Sequence, residues 1–72
     1  MKEYLVEVFW SREDNAFVAV VPDLPGCSAV GDNAEEAVRE IGDAVSAWIA
    51  ACRASGDSVP APNARPQLAG VV

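Results

Sequence analysis

Eleven carboxylates and two thiols are the side chains with most capacity for chemistry in this 72-residue chain, and histidine is absent. Without histidine there is no imidazole to activate a serine or cysteine nucleophile, and no imidazole ligand for a metal. The thiols, Cys27 and Cys52, are too far apart in sequence for a redox pair or a zinc knuckle. Cys27 follows a turn near Asp23, whose negative charge disfavours a thiolate, and Cys52 falls on an apolar helical stripe. Both read as small apolar fillers, with a reactive Cys27 as the sharper alternative. Among the carboxylates, Glu7, Asp23 and Asp43 fall in three different segments. Acid–base or metal chemistry needs such groups to converge; the plainer reading is solvated surface acids. Gly26 and Gly31 do not make the glycine spacing that cradles phosphate. No catalytic residue, metal or cofactor is expected.

The elements that must position these residues are short. Tyr4 to Trp10 is rich in β-branched and aromatic residues and predicts a strand, with Tyr4, Val6, Val8 and Trp10 on one face and Leu5, Glu7 and Phe9 on the other. The polar run Ser11 to Asn15 closes a hairpin, and Ala16 to Val21 returns. Pro22-Asp23-Leu24-Pro25-Gly26 is a corner, because Pro25 presets φ and Gly26 accepts the positive φ that a type II turn requires next. Cys27 to Val30 predicts a third strand, broken by Gly31. A helix over Ala34–Ser55 follows, capped by Asn33 with Glu36 or by Asp32 with Glu35. Its apolar stripe is Ala37, Val38, Ile41, Val45, Trp48, Ile49 and Cys52, and Gly56 stops it. Pro60, Pro62 and Pro66 keep the next stretch extended. Residues 67–72 are either a last short strand or a disordered tail. The fold class is therefore α+β: a three-stranded antiparallel sheet with one packed helix and room for a fourth strand. Residues 1–56 form the core domain and 57–72 a Pro-rich extended segment.

A chain this short hides only about 60% of its unfolded surface, yet 51% of its residues are hydrophobic. One helix covers one face of a sheet, while both faces of this hairpin carry apolar side chains. Leu5, Phe9, Val18 and Val20 on the second face, with Trp10 at the strand end, are the candidate interface between copies of the chain, a homodimer or tetramer. Trp48 is in step with the helix stripe and reads as core. For Trp10, packing in the core or a dimer outweighs a separate role as a binding anchor.

The formal net charge is −6, and the five basic residues, Lys2, Arg12, Arg39, Arg53 and Arg65, form no cluster. Nucleic-acid binding requires a basic patch. An acidic surface instead attracts basic partners, or simply keeps the domain soluble. No signal peptide or membrane-spanning stretch stands out, so a cytoplasmic location with reduced thiols is expected.

The run Phe17-Val18-Ala19-Val20-Val21-Pro22-Asp23-Leu24-Pro25-Gly26-Cys27, then Gly31 and Glu35-Glu36-Ala37, resembles the signature of HicB-type antitoxins, as does the hairpin with Asp14 ahead of it. The resemblance spans Tyr4 to Ile49. It implies a β-β-β-α-β, partial RNase H-like fold without a working nuclease site, homo-oligomers, and a protein partner: a small basic RNA-cleaving toxin of the HicA type. Asp23, Leu24, Pro25 and Gly26 would then form an exposed corner for that toxin, with acidic contacts from Glu7, Asp14 and Glu36. For Pro25 and Gly26, turn geometry alone is the favoured explanation. Complete HicB antitoxins carry a C-terminal DNA-binding module. Nothing after Gly56 has room for one here, so no specific DNA binding is expected. A solitary oligomeric module without a toxin is the second reading. A metal-dependent nuclease is the third, requiring several converging carboxylates. If the second apolar face is buried between subunits, sedimentation at micromolar concentration will show a species heavier than one chain; a lone monomer would refute the self-association.

Overall fold

The computed structural model describes residues 4–64, in the order β1 (Glu7–Ser11), β2 (Ala16–Val20), β3 (Ser28–Gly31) and α1 (Ala34–Ala54). The strands form one antiparallel sheet in the order β1-β2-β3. The first hairpin pairs Phe9 with Val18 and Trp10 with Phe17, and closes at Ser11 opposite Ala16. Its loop is local chemistry. The Ser11 hydroxyl donates to Asp14 Oδ2 at 2.9 Å, and the Asp14 N–H donates back to Ser11 Oγ at 3.2 Å. Asn15 then takes φ +51°, a left-handed conformation that asparagine tolerates well.

The predicted first strand begins three residues too early. Glu7 pairs with Val20, and beyond Val20 the partner chain turns away into Pro22, leaving nothing for Tyr4, Leu5 and Val6 to pair with. Val6, grouped above with Val8, is accordingly exposed. The corner itself is two successive turns. The Leu24 N–H donates to the Val21 carbonyl at 3.0 Å, and the Cys27 N–H donates to the Leu24 carbonyl at 2.9 Å across Pro25 and Gly26. Gly26 sits at φ +80°, as the type II turn demands. The Val21 N–H donates to the Cys27 carbonyl at 3.2 Å and closes the corner at its base. Because the Cys27 amide is spent on the turn, β3 starts at Ser28.

Of the two caps weighed, Asn33 is the one used: its Oδ1 accepts from the Glu36 N–H at 2.8 Å. Glu36 Oε1 reaches back to the Asp32 N–H at 3.0 Å, one residue earlier than in the usual capping box. Together with Glu35 and Glu36 in the first turn, this stabilises the helix start by about 1 kcal/mol. At the other end the Gly56 N–H donates to the Arg53 carbonyl and the Asp57 N–H to the Cys52 carbonyl, with Gly56 at φ +77°. That is a Schellman stop.

α1 packs on one face of the sheet, and the core between them is Ala19, Val21, Leu24, Cys27, Ala37, Ile41 and Val45. Val8, Phe17, Ala29, Ala44, Trp48 and Ile49 pack around it. Val38, assigned above to the apolar stripe, is 50% exposed. It lies about 100° round the helix from Ala37, past the edge of the sheet. Gly31 does not break β3; it ends the strand where the helix comes closest. A Cβ there would stand 2.5 Å from the Ala37 nitrogen and 2.9 Å from Glu36. Both neighbours are held by the helix start, so the backbone cannot yield cheaply. Gly31→Ala is expected to destabilise the fold by about 2–3 kcal/mol in urea unfolding, whereas Gly42→Ala, where a Cβ meets nothing within 4 Å, should stabilise it slightly.

Candidate partner-binding surfaces

Residues paired across antiparallel strands point to the same face. The register therefore sorts the sheet into two sides. Val8, Ala19 and Ala29 form one row toward the helix, and Trp10, Phe17 and Gly31 another. Phe9, Val18 and Val30 form a row on the opposite side, next to Glu7, Val20 and Ser28. Val18 is only 8% exposed yet takes no part in the helix-side core. It is the middle of the outer row, covered by neighbours rather than by a second layer. Phe9 and Val30 flank it at 49% and 56% exposure. Among the described residues no helix or strand lies on this face.

Of the residues assigned above to a self-interface, Phe9, Val18 and Val20 share that outer face, and Leu5, half-buried, precedes the same strand. Trp10 does not belong with them. Its pairing with Phe17 puts it on the helix side, where the two rings meet edge to face at 5.1 Å. On the edge strand β1, at the far side of that row from Gly31, it stays about half exposed. Val30, not singled out above, is the missing third member of the outer row. Its signal was present: the alternation through β3 puts Val30 opposite Val18 once the corner length is known.

The residues assigned to partner contacts scatter. Glu7 and Asp14 are exposed, one on the outer face and one in the hairpin loop. Glu36 is half-buried and committed to the helix cap. In the corner, Pro25 and Gly26 are exposed, but Leu24 is not: it is wholly buried in the core. Two turns in six residues force the middle side chain inward, under the helix. Its burial is worth about 1.5–3 kcal/mol. Over it, Trp48 Nε1–H donates to the Pro25 carbonyl at 2.9 Å, tying helix to corner. The Asp23 carboxylate accepts the Asn63 N–H at 2.9 Å and the Ala64 N–H at 3.0 and 3.1 Å, so it holds the segment after the helix. The Tyr4 hydroxyl donates to the Pro60 carbonyl in the same segment. Neither contact is legible in the sequence, because the residues joined lie 40 and 56 positions apart.

Residues 57–64 are extended and belong to no strand; the last strand considered at 67–72 lies outside the described residues. Among the described residues no three Cys, Asp or Glu side chains converge to hold a metal, and no helix is long and apolar enough to cross a membrane.

The model of one protein family, described as a HicB-like antitoxin of bacterial toxin–antitoxin systems, matches residues 4–70. The chain belongs to the HicB-like antitoxin family. A UPF0150 protein of Thermoplasma acidophilum is similar, at 36% identity over 52 residues, covering 72% of this chain and 75% of that protein. No solved structure matches. The family match runs through the whole described region, from Tyr4 across the corner and helix to the extended segment. The three-stranded antiparallel sheet and single helix agree with the β-β-β-α part of the fold that the HicB resemblance implies.

The two thiols of this HicB-like chain stand in different settings. Cys27 is buried in the core, and burial pushes its pKa above the ordinary thiol value. Cys52 is half-buried beside a shallow cleft lined by Trp48, Ala51, Ser55 and Asp57, its S–H directed to the Ser58 carbonyl at 3.4 Å. Iodoacetamide should therefore label Cys52 in the native protein and Cys27 only on unfolding. Since the folded state holds the Cys27 proton more tightly, the stability this gives is complete below the unfolded thiol pKa and declines as pH rises through the folded one. Equal labelling of both thiols under native conditions would contradict this burial.

Proposed function

We propose that this chain is an antitoxin that neutralises a small basic RNA-cleaving toxin of the HicA type by covering its RNA-binding surface. The match to the HicB-like antitoxin family over residues 4–70 carries this reading. Charge supports it. Glu7, Glu13, Asp14, Asp32, Glu35, Glu40, Asp43 and Asp57 are exposed, against Arg12, Arg39 and Arg53 among the described residues. A toxin that binds RNA presents cations to phosphates, and an acidic protein competes for the same cations. Glu7, Asp14 and the exposed Pro25–Gly26 edge of the corner are the proposed contacts. The chain acts here by binding and performs no chemistry of its own.

The outer sheet face favours self-association alongside this role. The row Phe9, Val18 and Val30, with Val20 beside it, offers apolar surface that a second copy would remove from water. A homodimer or tetramer built on this face would leave the hairpin loop and corner free. A solitary oligomeric module uses the same face and lacks only the toxin.

Affinity purification from the native lysate distinguishes the two. The expected result is a small basic protein recovered at near-equal molar amounts, which cleaves RNA alone and stops when this chain is added back. Recovery of the chain's own subunits alone would favour the solitary module.

A further inference from the structure

The segment after the helix is attached in an unusual way. The Schellman stop at Gly56 redirects the chain, and residues 57–64 then run extended without joining the sheet. Pro60 and Pro62 have no N–H to offer a strand. What holds the segment is side chains of the body. The Cys52 thiol points to the Asp57 and Ser58 carbonyls, the Tyr4 hydroxyl donates to the Pro60 carbonyl, and both Asp23 oxygens accept the two successive N–H groups of Asn63 and Ala64. None of the seven buried core residues, nor any side chain packed against them, comes from 57–64. Asp57, Ser58, Ala61, Pro62 and Asn63 are exposed. Conversely, the turn hydrogen bonds of the corner that carries Asp23 and the buried Leu24 at its centre do not involve the backbone of the segment.

We propose that residues 57–64 are a detachable strap, latched at its far end by the Asp23 carboxylate and hinged at Gly56, which opens as a unit while sheet, corner and helix stay folded. Segments that open below the global unfolding energy are those with few buried apolar contacts, and among the described residues this one adds nothing to the core cluster and is fastened by three side chains, Cys52, Tyr4 and Asp23. Opening frees the Asp23 carboxylate, so that acid is available to another molecule only in the open form. The strap does not depend on the toxin reading, and each stands or falls separately.

Amide hydrogen exchange of the full chain, read by NMR, tests it. In the wild type the Asn63 and Ala64 amides should exchange at least about 10-fold slower than in an unstructured peptide, and at least about 100-fold faster than the Ile41 and Val45 amides. Asp23→Ala should abolish the protection of Asn63 and Ala64 and leave Ile41 and Val45 within about 3-fold. Asp23→Asn, which keeps one uncharged acceptor oxygen, should fall between. The proposal is overturned if the two strap amides exchange in step with the core, if they are unprotected in the wild type, or if Asp23→Ala weakens the core equally.

Discussion

The corner between β2 and β3 is the constraint on which the rest depends. A chain leaving a central strand must reverse without a ladder to satisfy its amides, and here it does so in the six residues from Pro22 to Cys27. Two linked turns satisfy the Val21, Leu24 and Cys27 amides internally, and Gly26 supplies the positive φ. The same geometry drives Leu24 inward, so that Val21, Leu24 and Cys27 provide three of the seven core residues. In a protein of this size that is a large share of the interior. The helix then has something to lie on beyond a narrow sheet. Trp48 spans the corner and bonds the Pro25 carbonyl, and Gly31 lets the helix start press directly on the end of β3. The motif that carries the family signature is thus first of all a piece of the core.

A single helix against a three-stranded sheet leaves one face open. The central strand pays for this least, because Phe9 and Val30 shield Val18 from either side. The edge strands carry the exposed remainder. Phe9 and Val30 are therefore left half exposed on the open face, whereas the hairpin loop and the outside of the corner are polar or turn-forming.

The strap adds a second layer of organisation. Its attachments use residues that look, in the sequence, like independent surface groups: a tyrosine ahead of the first strand and an acid in a turn. Both are spent on backbone groups of the C-terminal segment. An acidic side chain in an exposed-looking turn is a natural candidate for partner contact. That Asp23 is already occupied follows from where the chain travels after Gly56, which no local pattern encodes.

By itself the sequence determined the elements and their order. β-branched alternation specified the strands, Pro25-Gly26 the type II turn, Asn33 with Glu36 the helix start, and Gly56 its end, because each depends on interactions within a few residues. The absence of histidine and the charge of −6 narrowed the chemistry in the same direct way. Tertiary structure decided what periodicity leaves ambiguous. It put Leu24 inside, moved Val38 out of the helix stripe, assigned Trp10 to the helix side of the sheet and added Val30 to the outer row. The reason is common to all four. A side chain's burial depends on which distant element covers it, and that is settled by the corner's length, the helix's reach and the strand register rather than by the residue's own neighbours.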